Sequence, residues 1–434
     1  VINIVAPYYH ATASAFACLP FTYWRGTVVY RFSIVASAYH RGRLMIVYAP
    51  NQQVGGPAEQ VQYSKIVDLS DTRDFTMEIG WAQRGSFLTV AGITATNSWA
   101  TTPLGTTGVS HNGTLSIFML NDLTTPSDTV NNDITVNCFM KMGDDFAVAV
   151  PNDRIKTFTY LNTIAPQCGL IESQSGDMEQ DAEDNKPVRE VVEECAAPCP
   201  KLDHTFDVFF GEKISSFRQM LKRYTHHMSY YYTMTTGSSV SIDEWDFPLF
   251  RGYGPNGRHA TTTSSANIVN TTLMNYMAPA YVGYRGGIKY KRVVSNVGAT
   301  QGGKFIIARN NNVSDYGVTN TTVNVANQSI FATNALKSPT LFEGGEVTDL
   351  SINPVLEIEL PYYSQYRWSL TRQVKNFSGT MYGYFMHTMN ITSANGASGV
   401  IIDSYVAAAE DFQLLLFQGM PPFQVTASIP VPLT

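Results

Sequence analysis

Hydrophobic and polar residues alternate along this chain in short runs that are separated by turn residues. Runs in the first half predict β-strands at Thr27–Ala36, Arg43–Tyr48, Phe75–Gly80, Thr114–Leu120 and Ile134–Met140. Runs in the second half predict strands at Ile288–Val294, Lys304–Arg309, Val355–Leu360, Thr380–Met389 and Gln413–Phe417. Clusters of glycine, asparagine and proline separate the runs. This pattern is typical of an antiparallel sandwich or a closed barrel.

One segment has helical rather than strand periodicity. Between Ile214 and Tyr224 the apolar residues recur three and four positions apart, as Phe217, Met220 and Leu221 illustrate. This spacing predicts an amphipathic helix. We expect the helix to cap the second sandwich.

An internal repeat organises the chain. The segment 21–31 (FTYWRGTVVYR) returns at 281–291 (YVGYRGGIKYK), and 42–48 (GRLMIVY) returns at 303–309 (GKFIIAR). A third pair, 144–148 (DDFAV) and 410–414 (EDFQL), follows in the same order, and the offsets are 260, 261 and 266 residues. Three landmarks at nearly constant offset predict two copies of one fold.

An acidic segment separates the two copies. Residues 171–194 carry nine carboxylates against only Lys186 and Arg189, a composition that predicts a linker or arm without a core of its own. The sequence therefore predicts a first domain at 1–166, a linker at 167–202 and a second domain at 203–434. About 75 residues lie between the linker and the second copy's first landmark, but only 20 precede the first copy's landmark. We therefore expect the first domain to lack its opening strands, and Val1 not to be the biological start of that protein.

Composition narrows the function classes. The chain has 434 residues, 15% of them charged, and a net charge of −6. A negative net charge argues against electrostatic binding of nucleic acid over the whole protein surface, so any RNA contact is expected to be local. No apolar run is long enough to span a bilayer, and no signal-peptide pattern is present at the first residues.

The cysteines argue against a disulfide framework. They are few and odd in number, so we expect them to be reduced: Cys18, Cys138, Cys168, Cys195 and Cys199. Cys195 and Cys199 have no second pair at zinc-like spacing. Neither a metal nor a cofactor is expected.

Several segments resemble capsid proteins of picorna-like single-stranded RNA viruses. The segments 20–27 (PFTYWRGT) and 37–44 (SAYHRGRL) resemble the middle of a major capsid protein of dicistroviruses and marine algal marnaviruses. The segment 210–223 (FGEKISSFRQMLKR) is similar to the opening of the neighbouring capsid protein. The segments 361–367 (PYYSQYR) and 412–422 (FQLLLFQGMPP) extend the resemblance over most of the chain.

This resemblance implies a fold and a role. It implies two eight-stranded antiparallel jelly rolls that tile an icosahedral shell around the genome of a non-enveloped positive-strand RNA virus. The partners it implies are other capsid subunits, copies of this chain, genomic RNA at the inner surface and an unidentified host receptor. The implied location is the virion, with assembly in the host cytoplasm. The longer loop at 310–342 is the expected site of host attachment.

The resemblance also implies processing of a polyprotein. A viral cysteine protease that prefers glutamine before a small residue would cut between Gln174 and Ser175, where Gly176 and the acidic run favour access. The alternative position is Gln167–Cys168. The two domains could also remain fused.

The Asp-Asp-Phe motif is the strongest candidate for chemistry. Asp144, Asp145 and Phe146 resemble a motif that insect picorna-like viruses associate with maturation cleavage of a small capsid peptide. The second copy departs from it, with Glu410, Asp411 and Phe412. Adjacent carboxylates can raise one pKa and create a proton acceptor for a single-turnover reaction. Because the motif recurs at equivalent positions, a structural role at the start of a strand is the favoured interpretation.

Other motifs have structural interpretations. Arg25-Gly26 and Arg285-Gly286 could bind anions, but an arginine beside a turn glycine more often fixes the preceding loop through carbonyl groups. The tyrosines at 230–232 and 362–363, with Trp245 and Trp368, could stack on sugars or RNA, but core and interface packing is favoured.

No motif for a catalytic nucleophile, a phosphate loop or a metalloprotease is present, so we do not expect an enzyme. The alternative function is a two-domain jelly-roll lectin that holds a glycan with loop aromatics and Asn/Asp side chains. A cupin-type enzyme would need two histidines and a carboxylate on facing strands, and the histidine spacing does not provide them.

Overall fold

The protein is described by a computed structural model. It describes residues 2–5, 8–50, 63–81, 83–91, 111–126, 133–160, 205–214, 216–232, 239–246, 248–249, 269–296, 303–309, 345–362, 366–371, 385–393 and 400–425. Antiparallel strands dominate this part of the chain, and the prediction of an all-β protein is confirmed.

From α1 (Ala13–Cys18) in the first half and α4 (Leu273–Met277) in the second, helices and strands follow one another in the same order as far as β11 (Ala147–Pro151) and β23 (Gln413–Phe417). Those of the first half are β1 (Ile2–Val5), β2 (Tyr8–His10), α1 (Ala13–Cys18), β3 (Phe21–Arg25), β4 (Val28–Val35), β5 (Arg41–Ala49), β6 (Ser64–Asp68), β7 (Asp74–Ile79), β8 (Leu88–Thr89), β9 (Thr114–Thr124), β10 (Thr135–Met142), β11 (Ala147–Pro151), a 3-10 turn (Arg154–Thr157) and β12 (Phe158–Tyr160). Those of the second half are α2 (Thr205–Phe209), α3 (Phe217–Leu221), β13 (Thr225–Tyr232), β14 (Ser239–Asp246), α4 (Leu273–Met277), a 3-10 turn (Ala278–Ala280), β15 (Tyr281–Arg285), β16 (Ile288–Asn296), β17 (Gly303–Arg309), β18 (Gly345–Asp349), β19 (Val355–Leu360), β20 (Ser369–Leu370), β21 (Phe385–Ser393), β22 (Val400–Ala408), β23 (Gln413–Phe417) and β24 (Phe423–Val425).

The chain folds into two compact units that exchange segments. Unit 1 contains residues 1–3, 11–153 and 165–214, and unit 2 contains 4–10, 154–164 and 215–434. Unit 1 therefore includes α2, which follows the acidic linker in the sequence. Unit 2 includes β2 and β12, which precede the linker.

Unit 2 contains two four-stranded sheets with the winding of a jelly roll. Their strand orders are β13-β22-β16-β19 and β14-β21-β17-β18. Along the chain, successive strands of this pair of sheets lie in different sheets, except β17 and β18, which pair with each other. The sequence of β19, VLEIEL, shows why a strand forms here: Leu356 and Leu360 are buried in the core, whereas Glu357 and Glu359 point to solvent. Buried apolar side chains fill the core, among them Tyr284, Ile288, Tyr290, Leu360, Val406 and Phe412.

Unit 1 repeats six of these eight strands and has no described counterpart of β13 and β14. Its sheets have the orders β10-β4-β7 and β6-β5-β9, and these strands correspond to β22-β16-β19 and β18-β17-β21. Among the described residues no strand pairs with the outer edges of β9 and β10. Met140 faces Tyr30 as Val406 faces Tyr290, yet Met140 is 42% exposed and Val406 only 1%. The inner face of β10 is thus less covered than that of its counterpart.

The structure corrects the predicted helix and refines the strands. The helix expected between Ile214 and Tyr224 is shorter in the structure, where α3 covers Phe217–Leu221 and the chain from Thr225 onward pairs with β22 as strand β13. Each predicted strand overlaps a strand of the structure, with ends that shift by a few residues; residues 380–384 of one predicted strand lie outside the described residues. Of the strands in the sheets that contain β4, β5, β16 and β17, the sequence did not predict β6, β13, β14, β18 and β22. Within the described residues no helix is long and apolar enough to cross a membrane.

Candidate functional site

The Asp-Asp-Phe motif closes onto the arginine-glycine turn in unit 1. The Thr27 backbone N–H donates to Asp145 Oδ1 at 2.9 Å, and Thr27 Oγ1 donates to Asp145 Oδ2 at the same distance. The Gly143 N–H in turn donates to the Thr27 carbonyl oxygen at 2.8 Å. Both carboxylate oxygens of Asp145 therefore hold the start of β4. Asp144 and Asp145 are both exposed, but only Asp145 makes these bonds to Thr27.

Gly26 is required for this close approach. Its φ of +123° is in a region that residues with a side chain rarely adopt. A Cβ at this position would lie 2.4 Å from Phe146 Cα. The aromatic ring of Phe146 stacks on Trp24, with 5.8 Å between ring centroids. The Arg25-Gly26 turn and the Asp-Asp-Phe loop, which are distant in sequence, thus contact each other directly.

The same contact recurs in unit 2. The Gly287 N–H donates to Asp411 Oδ1 at 2.8 Å. Gly286 has a φ of +99°, and a Cβ there would lie 2.3 Å from the Asp411 carbonyl oxygen. Phe412 is buried and stacks on Tyr284 with 6.4 Å between centroids. In each repeat, the loop that precedes β11 or β23 therefore contacts the turn that precedes β4 or β16.

Glu410 differs from its counterpart Asp144 because it contacts α3 and the residue that follows it. Lys222 Nζ forms an ion pair with Glu410 Oε2 at 2.5 Å, and Arg218 donates to the Glu410 carbonyl oxygen. The hydrogen bond and charge of Lys222 lower the pKa of Glu410. This cationic environment keeps the carboxylate ionised, which disfavours a role as a proton acceptor.

The arginines singled out in the sequence differ in their surroundings, and Tyr362 packs within unit 2. The Arg25 guanidinium lies over the Phe87 ring at 5.6 Å from its centroid, whereas Arg285 is exposed. Tyr362 shares a 2.8 Å hydrogen bond with Ser369 Oγ and contacts Tyr284 edge-on. The side chains of 230–232, Tyr363 and Trp245 lie outside the described residues.

The expected cleavage positions also lie outside the described residues, namely Gln167, Cys168, Gln174 and Ser175, as do the acidic linker, Cys195 and Cys199. Cys18 is buried, and its burial raises the pKa of the thiol to about 12. In the described part of the chain, no group of three or more His, Cys, Asp or Glu residues is placed to hold a metal ion.

Sequence reasoning missed the exchanged segments. In unit 2, β24 lies between β2 and β12 in one sheet. Phe158 of β12 is buried with 4.7 Å between its centroid and that of Phe423, and Tyr160 donates its hydroxyl to the Tyr276 carbonyl oxygen at 3.0 Å. The available signal was the two aromatic residues of this short segment, FTY, which ends a few residues before the predicted linker.

In unit 1, α2 covers a small three-stranded sheet. Phe206 is buried, with 5.1 Å between its ring centroid and that of Phe87. Phe210 lies 4.8 Å from the Phe87 centroid and stacks on Tyr23 at 5.6 Å. The aromatic run FDVFF at 206–210 is the sequence signal that accompanies this contact.

Comparisons with known proteins point in one direction. A family model described as "CRPV capsid protein like" matches residues 205–428. The structural polyprotein of cricket paralysis virus is 23% identical over 409 residues, which cover 83% of this chain and 44% of that polyprotein. The genome polyprotein of deformed wing virus is 27% identical over 165 residues, covering 34% of this chain and 5% of that polyprotein. The chain thus spans less than half the length of these relatives.

A solved structure of a marine algae virus of the order Picornavirales is 27% identical, with a TM-score of 0.42. The alignment covers 52% of this chain and 90% of that chain.

Proposed function

Since the chain belongs to the CRPV capsid protein like family, we propose that its two units serve as adjacent coat-protein bodies in the shell of an icosahedral particle. Membership makes it a structural capsid protein of the picorna-like viruses and not an enzyme. The observation that carries the proposal is the family match over 205–428, which contains the jelly roll of unit 2. The repetition of that strand order in unit 1 supports two such bodies.

Assembly by symmetric burial of subunit surfaces is the proposed mechanism. Electron microscopy and velocity sedimentation of native material test it. We expect uniform closed shells that contain this chain. Small soluble species, with no disassembled particles present, would contradict the proposal. The lectin alternative has no support in the family match.

The linker is the proposed site of polyprotein cleavage, between Gln174 and Ser175. The acidic composition of 171–194 supports access by a protease. Amino-terminal sequencing of the coat proteins from purified particles tests this position. A new terminus at Ser175 is expected, a terminus at Cys168 would move the cut to the alternative position, and only uncut chain would refute cleavage.

The exchanged segments would keep the two products together after such a cut. Cleavage at 174 leaves β12 on the product that precedes the linker and α2 on the product that follows it, yet β12 packs in unit 2 and α2 in unit 1. Their contacts, including those of Phe206 and Phe210 with Phe87, do not depend on the linker. A retained heterodimer is therefore expected.

A designed protease site in place of residues 173–176 tests this retention without the viral protease. The cut products are expected to co-elute in size-exclusion chromatography. Phe206→Ala combined with Phe210→Ala is expected to weaken the complex, whereas Val208→Ala is the matched control, because Val208 is in the same helix and strongly exposed. Separation of the unmodified products would refute the idea.

Host attachment and RNA contact remain proposals drawn from the resemblance. The loop at 310–342 lies outside the described residues and is proposed to meet a receptor. Deletion of 312–335 should abolish attachment while particles still form. The proposed contact with genomic RNA at the inner surface predicts crosslinks between this chain and RNA in intact virions, and assembly is proposed to occur in the host cytoplasm.

The Asp-Asp-Phe motif and its second copy are proposed to be structural. Support comes from the engagement of both Asp145 oxygens by Thr27 and from the matching contact of Asp411 with Gly287. A maturation role would instead predict that Asp145→Asn blocks release of a capsid peptide while stability is unchanged.

A further inference from the structure

Each unit contains a small sheet whose outer face is equivalent in the two repeats. In unit 1 this sheet has the order β11-β3-β8, and in unit 2 the order β23-β15-β20. Tyr23 pairs with Thr89 as Gly283 pairs with Leu370. Phe87 and Trp368 therefore occupy equivalent positions, one residue before the short edge strand.

A shared irregularity confirms this alignment. Val150 in β11 and Leu416 in β23 are not glycines, yet both have a positive φ of +58°. Such a conformation is uncommon for residues with branched side chains. Its recurrence at the same place in both sheets shows that the repeat extends to local backbone geometry.

The two equivalent faces differ in what covers them. In unit 1, Phe206 and Phe210 of the α2 segment lie against Phe87 and Tyr23. In unit 2 the face consists of Trp368, Leu370 and Phe417, which are 37%, 42% and 52% exposed.

The exposed face is preformed rather than loose. The Trp368 ring lies directly on Gly283, so that a Cβ at Gly283 would be 2.3 Å from Trp368 Cε3. Phe417 is held edge-on against Tyr281 at 5.2 Å between centroids. With Leu370, these two side chains form an apolar patch of the kind that marks an interaction surface. The same face also carries the exposed Arg285, at the position of Arg25 in unit 1.

We propose that this face of unit 2, formed by Trp368, Leu370 and Phe417, binds a short helical segment with aromatic residues spaced as in α2, donated by another capsid subunit. The repeat supplies the argument for this occupant, because the equivalent face of unit 1 holds such a segment. The segment at 203–213 carries acidic Asp207 and Glu212, which suit the neighbouring Arg285. This proposal rests on the proposed function as a capsid protein, but it does not require that the linker is cleaved.

Fluorescence anisotropy with a labelled peptide of residues 203–213 and the full, uncut chain tests the proposal. Saturable binding is expected, and the peptide with Phe206→Ala and Phe210→Ala should not bind. Leu370→Lys should weaken binding by about tenfold or more, since it places a charge in the apolar patch. Ile352→Lys is the control, because Ile352 is a strongly exposed apolar residue of unit 2 outside this face.

Two outcomes would overturn the proposal. One is the absence of saturable binding. The other is binding that survives Leu370→Lys but is lost in Phe87→Ala, which would place the peptide on the face of unit 1. Trp368→Ala is a second variant, and thermal melting shows whether it remains folded. The binding assay reports on this face even if particle assembly or linker cleavage fails, so the two proposals can fail separately.

Discussion

Replacing Gly286 by alanine measures how much the contact between the turn and the Asp-Phe loop stabilises unit 2. The added methyl group would lie 2.3 Å from the Asp411 carbonyl oxygen and 2.5 Å from Phe412 Cα, both backbone atoms that cannot rotate away. The positive φ adds a conformational cost of about 1–2 kcal/mol. Opening the contact would also weaken the hydrogen bond from the Gly287 N–H to Asp411 and loosen the buried Phe412.

Gly419→Ala is the control that separates the conformational cost of a positive φ from the cost of the steric clash. Gly419 has a φ of +92°, but nothing lies within 4 Å of the Cβ it would gain. It should therefore lose only the conformational part. We expect Gly286→Ala to destabilise unit 2 by about 2–4 kcal/mol more than Gly419→Ala, the sum of a weakened hydrogen bond and local overpacking.

Hydrogen exchange of amides in β16 and β22, followed by mass spectrometry, provides the assay within one unit of the full chain. When closing is fast relative to exchange, the excess destabilisation corresponds to about 30- to 900-fold faster exchange in Gly286→Ala than in Gly419→Ala. Equal exchange rates in the two variants would refute the reasoning, because the close contact of Gly286 with Asp411 and Phe412 would then contribute nothing to the stability of unit 2.

Three further predictions concern titratable groups. Asp145→Ala should lose both hydrogen bonds before β4 and destabilise unit 1 by about 1–2 kcal/mol in chemical unfolding, while Asp144→Ala, whose carboxylate makes neither of these bonds, should stay near wild type. Cys18, with its pKa raised to about 12, should resist iodoacetamide at pH 8 in the folded chain and react on unfolding; reaction of folded Cys18 at the unfolded rate would contradict this. The hydrogen bonds from Ser70 and then Arg43 lower the pKa of Asp68 to about 2, so its stabilisation is present above the ordinary value near 3.8 and lost as the pH falls toward 2; NMR titration of the Asp68 carboxyl checks this, and a midpoint near 3.8 would refute it.

The sequence alone determined the fold class, the repeat and most of the central strands. From Leu356 to Leu360, β19 alternates between apolar and acidic residues, and this period of two is a local property that sequence displays. The repeated landmarks located equivalent turns, since a glycine at positive φ and an acidic-aromatic pair recur at a nearly constant offset. Family resemblance then supplied the capsid role.

Only the tertiary structure decided which distant segments meet. The helix α3 ends at Leu221, and strand β13 begins at Thr225 by pairing with β22, whose residues lie 168 to 181 positions away, a distance that local periodicity cannot reveal. The pairing of Gly26 with Phe146, and the packing of α2 in unit 1, likewise join residues whose chemistry looks ordinary in sequence. Sequence pattern specifies which side of each strand is apolar, but the partner that buries it depends on long-range packing.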